Sequence, residues 1–338
     1  MVVRNIAIFT GGAVIGAVAV GSYFKSKADT RPVAVAAPAP VQLPSAPIPA
    51  PAPTPVRLPE KSPAVIPSHP GSSVGNARKI MPHGFPGPVN DVFAREGYVA
   101  SYNRQFRHPN WVAEHLTAEG LKAGDGVGRG NSQFKEDPTV PDLYKAKLSD
   151  YLRSGYDRGH MVPAADCKST QSGMDETFYL SNIAPQVGDG FNRDYWAHFE
   201  NFCRQLTKKY RDVYVLTGPL YLPYQDPVDK KFYIKHEVIG NPPNIGVPTH
   251  FYKVILTDKG NGEMTMGAFV LPNNTIHNDV PLTAFQVPLE AVEKASGLKF
   301  FEMLERRALK NLCQDTECKI LIHPKSVRGG DKKALPAH

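Results

Sequence analysis

Cysteine is scarce in this sequence, and the spacing of the few that occur argues against a structural zinc site. The chain has 338 residues and four cysteines, Cys167, Cys203, Cys313 and Cys318, with no C-x-x-C pair. Zinc sites of the structural kind need clustered cysteine and histidine ligands. Two interpretations stay open for the thiols: buried groups without a special role, or a Cys313–Cys318 disulfide in an oxidising compartment.

The first part of the chain lacks charge. Residues 5–24 contain no charged side chain, and no acidic residue appears before Asp29. About 20 helical residues, at roughly 1.5 Å each, cross the roughly 30 Å hydrocarbon core of a bilayer. We therefore predict residues 1–27 as an N-terminal membrane anchor or targeting segment. The alternatives are a cleaved signal peptide, for which the run is long, or an amphipathic presequence, for which it is too uniformly apolar.

Proline, in contrast, is abundant and unevenly distributed. Many of the 32 prolines fall between Pro32 and Pro70, where they alternate with alanine. Such composition favours an extended spacer and not a packed core. We predict residues 28–75 as a disordered linker and residues 76–330 as one folded domain, since 41% of the chain is hydrophobic, enough for a core of that size.

The folded part mixes two kinds of hydrophobic pattern, and no internal repeat is visible. Runs of β-branched and aromatic residues bounded by turn formers predict strands. Longer segments with helical periodicity lie among them. The fold class predicted is therefore α+β. The predicted strands are 98–103, 212–221, 249–257, 264–272 and 318–324, and the predicted helices are 192–210 and 288–304.

The formal net charge is +7. A polyanion such as nucleic acid would be attracted to this surface by counterion release, with a strong dependence on salt. The alternative is that the excess charge serves solubility only.

The stretch "DRGH", Asp157 to His160, places an acid, a cation and a histidine side by side. Hydrolysis of a phosphodiester needs a base for water, a metal or cation for the pentacovalent anion, and support for the leaving oxygen. Histidine suits the base because its ordinary pKa leaves it neutral near pH 7. Asp157 or a backbone carbonyl would fix its tautomer, and Arg158 would meet phosphate. A surface histidine in a polar loop is the alternative.

The continuation adds metal chemistry. Asn192 stands where a helix is expected to begin, and an amide oxygen there suits a hard cation such as Mg²⁺. Glu200 follows eight residues later. With both residues in one helix, the rise between them of roughly 12 Å excludes joint ligation of one ion, so Glu200 is expected to act through water or to orient the site. An N-cap role for Asn192 and a solvated Glu200 remain the structural alternative.

These residues together carry a family resemblance. "YLRSGYDRGHMVPAAD", "FYLSNIAPQ", Asn192, Glu200 and "VYVLTGPLYLP" follow in an order that resembles the DNA/RNA non-specific endonucleases, in particular their mitochondrial endonuclease G branch. The resemblance covers most of the folded part. It implies a ββα-metal (His-Me finger) core with a mixed or antiparallel sheet and flanking helices, in which a hairpin and a helix hold one Mg²⁺ or Mn²⁺ ion.

The resemblance also implies roles for single residues. His160 matches the general base, Asn192 the direct metal ligand, and Glu200 the acid that acts on the ion through water. Asn182 matches the asparagine that supports the site, Arg158 a flanking position of the motif, and Arg129 stands nearest to the position of the arginine that stabilises the transition state.

For the whole protein, the resemblance implies sequence-tolerant cleavage of single- and double-stranded DNA and RNA to 5′-phosphate ends. It further implies a homodimer in mitochondria, at the inner membrane or in the intermembrane space. Two alternatives remain: a catalytically silent, membrane-tethered protein that binds nucleic acid or anionic lipid, and a hydrolase of a small nucleotide or lipid phosphodiester.

Overall fold

The computed structural model describes residues 79–84, 91–306 and 309–320. The predicted anchor, the predicted linker and the end of the predicted domain lie outside these residues. Within them, no helix is both long and apolar enough to cross a membrane. The strands are β1 Val92–Ala94, β2 Tyr98–Asn103, β3 His108–Leu116, β4 Asp157–His160, β5 Ile183–Gln186, β6 Asp212–Leu220, β7 Tyr224–Gln225, β8 Phe232–Tyr233, β9 Val238–Ile239, β10 Ile245–Gly246, β11 His250–Asp258, β12 Met264–Pro272, β13 Gln286–Val287 and β14 Lys310–Asn311.

Four α-helices lie wholly within the described residues and accompany these strands. Short 3₁₀ turns lie between them, and one π-helical turn, Gly188–Asn192, precedes the longest helix. The helices are α1 Gln171–Glu176, α2 Tyr195–Leu206, α3 Leu289–Ser296 and α4 Leu312–Asp315.

The main sheet has eight strands in the order β1-β2-β3-β6-β11-β12-β13, with β14 beside β12. All pairs are antiparallel except β12 with β14. The central strands alternate their side chains between two apolar layers, as expected of a sheet covered on both faces. One layer contains Trp196 and Phe199 of α2, and the other contains Leu289 and Val292 of α3.

Strands β3 and β6 are neighbours in the sheet but are far apart along the chain. Val112 of β3 pairs with Thr217 of β6, whereas residues 117–211 leave the sheet between the two strands. This excursion contains β4, β5, α1 and α2. It therefore contains every residue that the sequence singled out for chemistry.

Most predicted elements are confirmed. Four of the predicted strands correspond to β2, β6, β11 and β12, and the first predicted helix contains α2. The predicted helix 288–304 is too long: it ends at Ser296 because Gly297, at φ 73°, takes the left-handed conformation that terminates helices. Of the predicted strand 318–324, residues 318–320 are not in a strand and the remainder lies outside the described residues.

The four cysteines divide into two kinds. Cys313 and Cys318 form a disulfide that closes a short loop around α4. Cys167 and Cys203 are buried free thiols, and burial raises the pKa of both. Of the two interpretations that the sequence left open, each therefore applies to one pair of cysteines.

Candidate nuclease site

The centre of the site is the hairpin of β4 and β5. Asp157 pairs with Gln186, and His160 pairs with Ile183. Because side chains alternate along a strand, Arg158 and His160 point to one face of the hairpin and Asp157 and Gly159 to the other. A 3₁₀ turn, Leu180–Asn182, precedes the second strand of the hairpin, and only Ile183–Gln186 is extended.

His160 is a buried residue of a strand, which corrects the expectation of a polar loop. Its exposed fraction is 8%. The ring lies 5.2 Å from the ring of Phe134 and 4.8 Å from that of Phe178, centroid to centroid. Burial, aided by the positive charge of Arg129, lowers the pKa of His160 to about 3. The imidazole is therefore neutral across the physiological pH range.

The Nε2 atom of His160 is buried and has no hydrogen-bond partner in the described part of the chain. Buried polar atoms are nearly always paired, and an unpaired one is typical of a position that a ligand or water completes. The atom is thus free to accept a proton.

Two arginines lie on the rings that flank His160. The Arg158 guanidinium is 4.5 Å from the centroid of Phe134, and the Arg129 guanidinium is 5.2 Å from the centroid of Phe178. Both arginines are exposed. The positive charge of Arg129 also acts on His160 and Glu200, where it lowers the pKa of each side chain. Two solvent-facing cations beside a buried neutral histidine form a surface that suits a phosphate group.

Asn192 lies in the π-helical turn before α2, and not inside the helix as the sequence suggested. Gly190, at φ 78°, breaks the regular helix there. Asn192 Nδ2 donates to Asp157 Oδ2 at 2.8 Å. Because a carboxylate only accepts hydrogen bonds, this contact fixes the amide orientation and leaves the amide oxygen as the group for a cation.

Asp157 therefore acts differently from the expectation. Its carboxylate receives the amide of Asn192 and also the guanidinium of Arg193, at 2.8 Å from Nε and 2.5 Å from Nη2. It joins the first strand of the hairpin to the turn before α2. Arg193 was not among the residues predicted from the sequence, although its place directly after Asn192 was a usable signal.

Asn182 is fully buried and holds the chain behind His160. Its side-chain oxygen accepts from Val162 N at 3.0 Å, and its amide donates to Val162 O at 3.0 Å and to Thr177 O at 2.9 Å. The residue fixes two backbone segments and contacts no group that we assign to chemistry. Its neighbour Ser181 donates to the buried carboxylate of Asp137, which Arg95 also contacts at 2.6 Å.

Glu200 lies on α2, one turn after Trp196, and is half-buried. Burial raises the pKa of its carboxyl to about 7, while the charges of Lys253 and Arg204 act in the opposite direction. It is therefore a carboxyl that changes its charge close to neutral pH.

The residues fit a single hard cation. Within residues 79–84, 91–306 and 309–320, no group of three or more His, Cys, Asp or Glu side chains has the arrangement of a metal site. A cation that keeps most of its water needs no such cluster, because one oriented amide oxygen and nearby carboxylates suffice. Asn192, oriented by Asp157, supplies that oxygen.

Comparison with known proteins identifies the family. The family model described as DNA/RNA non-specific endonuclease matches residues 76–307. The chain belongs to this family. The family resemblance predicted from the sequence is confirmed, and so is the α+β fold of the ββα-metal nucleases, with the β4–β5 hairpin and α2 as its characteristic parts.

Relatives within the family are similar over most of the chain. A mitochondrial nuclease of Saccharomyces cerevisiae is 50% identical, covering 75% of this chain and 80% of its own. Nuclease C1 of Cunninghamella echinulata is 53% identical, covering 76% and 99%. Among solved structures, the crystal structure of an EndoG/EndoGI complex aligns with a TM-score of 0.67 at 49% identity, covering 69% of this chain and 94% of that chain.

Proposed function

We propose that this family member is a metal-dependent endonuclease that hydrolyses phosphodiester bonds in DNA and RNA. The observation that carries the proposal is the unpaired, buried Nε2 of His160 between two aromatic rings that each bear an arginine. This arrangement supplies a base and two phosphate-binding cations within one face of a hairpin. The names of the relatives, which are nucleases, support the same conclusion.

In this mechanism His160 Nε2 takes a proton from the attacking water. A neutral imidazole is ready to do so at any pH above its low pKa, and a bound phosphate would raise that pKa by adding negative charge beside Arg129. Arg158 and Arg129 bind the phosphate oxygens and stabilise the charge that develops on them. Asn182 keeps the strand of His160 in place.

Asn192 would hold the cation, which we propose to be Mg²⁺ with Mn²⁺ as a substitute. When bound, such an ion would supply positive charge to neutralise the phosphate and the leaving oxygen. Glu200 acts as a carboxylate that orients water on the inner side of the site. We propose that cleavage leaves 5′-phosphate ends.

Substrate choice follows from which groups the site offers. Its cations, Arg158 and Arg129, suit phosphate, which DNA and RNA share. We therefore propose single- and double-stranded DNA and RNA as substrates, with preferences set by groove shape.

We propose a mitochondrial location, supported by relatives named as mitochondrial in S. cerevisiae and Homo sapiens, the latter 41% identical. Within mitochondria, we propose that the protein is attached to the inner membrane through residues 1–27 or resides in the intermembrane space. Fractionation of mitochondria, followed by carbonate extraction with and without those residues, tests it.

We also propose a homodimer. Most of the strongly exposed large apolar side chains fall in two segments, and exposed apolar surface of this kind is typical of protein interfaces. Sedimentation of wild type beside Phe232→Ser/Ile234→Ser tests the proposal, and a monomeric wild type contradicts it. The exposed apolar side chains are Leu143, Leu148 and Leu152 in the first segment, and Tyr224, Val228, Phe232, Tyr233, Ile234 and Val238 in the second.

The deciding experiment compares wild type with His160→Gln on plasmid DNA and on RNA, with Mg²⁺ and then with EDTA. We expect metal-dependent cleavage of both polymers and a loss of roughly 10²–10⁴-fold in the variant, the usual contribution of a general base. Glutamine is preferred to alanine because the ring is packed between Phe134 and Phe178.

The matched control is His115→Gln, a histidine that stacks on Tyr214 at the opposite layer of the sheet. It should cleave like wild type. A folded His160→Gln protein with near-normal turnover would contradict the mechanism, and binding without cleavage by wild type would favour the silent tether. Cleavage of small phosphodiesters only, unaffected by salt, would favour the alternative of a hydrolase of a small nucleotide or lipid phosphodiester.

A further inference from the structure

A buried lysine lies under the helix that carries Glu200. Lys253, in the middle of β11, has an exposed fraction of 1% and faces the layer covered by α2. Its Nζ donates to the hydroxyl of Thr217 on β6 at 2.8 Å and lies 4.8 Å from the ring centroid of Trp196 on α2. Both partners are neutral. An ammonium taken out of water in this way needs a negative charge nearby.

Glu200 is placed to provide that charge. Trp196 and Glu200 are four residues apart on α2, so their side chains are neighbours on one side of the helix. Trp196 lies over the ammonium of Lys253. Glu200 therefore lies one helical turn further along the same side of α2. Consistent with this placement, Lys253 exerts the largest opposing influence on the pKa of Glu200 after burial itself.

Two other carboxyl groups face the same interior, and one of them is already paired. Asp166 accepts a hydrogen bond from Arg204 Nη1 at 2.6 Å, and its side chain is 1% exposed. Asp166 and Arg204 therefore form a buried ion pair between the 3₁₀ turn Ala164–Asp166 and α2.

Glu114 on β3 is the remaining carboxyl, with an exposed fraction of 1%. Its Oε2 atom has no hydrogen-bond partner among the described residues. Burial, and then the negative charge of Asp166, raise the pKa of Glu114 well above its usual value, against the opposing positive charge of Lys253. The carboxyl of Glu114 is therefore protonated and neutral near pH 7.

The charges of this cluster then match one to one. Arg204 compensates Asp166, and Glu114 is neutral. The ammonium of Lys253 is left with the carboxylate of Glu200. Arg129 adds a weaker positive influence from the solvent side.

We propose that Lys253 is a positioning residue for the nuclease reaction: its ammonium keeps the Glu200 carboxylate charged and aligned on the inner face of α2. The inference rests on the proposed function for its kinetic consequence. It assigns a role in the site to a scaffold strand that contributes no group at the reacting centre.

The test compares Lys253→Met with Glu114→Gln. Each substitution removes one ionisable group from the same buried cluster at similar side-chain length. The measurement is kcat and KM for plasmid cleavage in Mg²⁺ across pH 5.5–9.5. Activity of wild type should fall on the acid side as Glu200 takes up a proton.

In Lys253→Met the acid limb should move to higher pH by about one unit, so that kcat falls about fivefold at pH 7, by up to about tenfold at lower pH, and recovers at high pH. KM should stay within about threefold, because the lysine contacts no substrate. Glu114→Gln should match wild type, since it replaces a group that is already neutral. In a Glu200→Gln background, adding Lys253→Met should have no further effect on kcat.

A folded Lys253→Met protein with the wild-type acid limb overturns the proposal. So does an equal loss at every pH that persists in the Glu200→Gln background, which indicates a structural role only. If Lys253→Met does not fold, Thr217→Val removes the acceptor of Nζ alone and should move the acid limb in the same direction by a smaller amount; an unmoved limb there overturns the proposal.

Failure of the proposed function is visible separately, as a wild type that cleaves nothing at any pH. The carboxyl ¹³C shift of Glu200, identified by its absence in Glu200→Gln, then gives the same comparison without catalysis. Its titration midpoint should be higher in Lys253→Met than in wild type, and equal midpoints overturn the proposal.

Discussion

At the scale of single residues, burial acts in opposite directions on the two titratable groups of the site. It lowers the pKa of His160 to about 3 and raises that of Glu200 to about 7. Each shift disfavours the charged form of its group. The motifs and the family resemblance pointed to both residues but could not give these shifts, because the shifts depend on the rings of Phe134 and Phe178 and on the sheet beneath α2.

His108 provides a test of the same principle away from the site. Its Nδ1 donates to Pro109 O at 2.8 Å, so its Nε2 accepts from the hydroxyl of Tyr221 at 2.6 Å. Burial lowers its pKa to about 4. Below pH 6.5, the ordinary pKa of histidine, His108 binds a proton in the unfolded chain but stays neutral in the folded protein. The free energy of unfolding therefore falls as the pH falls toward 4.

We therefore expect His108→Gln to lose less stability than wild type between pH 6.5 and pH 4, by about 1–3 kcal/mol. Urea unfolding at several pH values measures the difference. Parallel curves for the two proteins would show that His108 titrates normally in the folded state.

Gly159 of the DRGH motif tests the packing of the hairpin. A Cβ at this position would lie 2.0 Å from Oε1 and 2.4 Å from Cγ of Gln186, a side chain with no exposed area into which it could retreat. Gly159→Ala should lower the free energy of unfolding by about 1–3 kcal/mol. Adding Gln186→Ala should recover part of the loss, and strictly additive effects would contradict the assigned contact.

At the scale of elements, the sequence predicted what periodicity controls and missed what single glycines control. β2, β6, β11, β12 and α2 follow from their hydrophobic patterns. The early end of α3 at Gly297 and the turn at Gly190 follow from positive φ angles, which periodicity does not encode. Asn192 is therefore in a turn held by Asp157 and does not share a helix with Glu200, as the predicted helix 192–210 implied.

The disulfide is a second local feature whose contribution can be measured. Cys313 and Cys318 close a loop around α4, where Asp315 also accepts hydrogen bonds from Lys209 and Tyr210 near the end of α2. For a loop this short, the restriction of the unfolded chain contributes about 2 kcal/mol. Cys313→Ser should lower the free energy of unfolding by that amount.

The control is to repeat the unfolding measurement with dithiothreitol, which reduces the Cys313–Cys318 disulfide. Wild type in dithiothreitol should unfold like Cys313→Ser, and the variant should not respond to dithiothreitol. A variant as stable as oxidised wild type would mean that contacts of Asp315 alone hold this segment.

At the scale of the whole molecule, the formal net charge is +7. Two of the positive charges, Arg158 and Arg129, are exposed beside His160. Each phosphate contact adds about 0.9 to the slope of log affinity against log salt concentration. We expect Arg158→Ala, in a His160→Gln background, to reduce this slope for duplex DNA by about one unit. Fluorescence anisotropy between roughly 50 and 200 mM salt measures it. A weaker affinity at unchanged slope would mean that Arg158 does not contact phosphate.

The family and the order of the site residues could be predicted from the sequence, because the matching motifs follow one another along the chain. It did not reveal Lys253 or Glu114, which belong to β11 and β3 and come close to Glu200 only when the sheet is formed. A lysine within an apolar strand pattern was a signal of that kind, but its partner on α2 required the fold.

The excursion of residues 117–211 between β3 and β6 has a consequence for biosynthesis. A ribosome-bound chain that ends at residue 211 already contains His160, Asn192 and Glu200, but β6 and β11 have not yet been made. The surface that buries α2 and the ammonium of Lys253 are then both missing. We expect such a nascent chain to be inert toward the messenger and ribosomal RNA around it, and the completed sheet to be what turns the polypeptide into a nuclease.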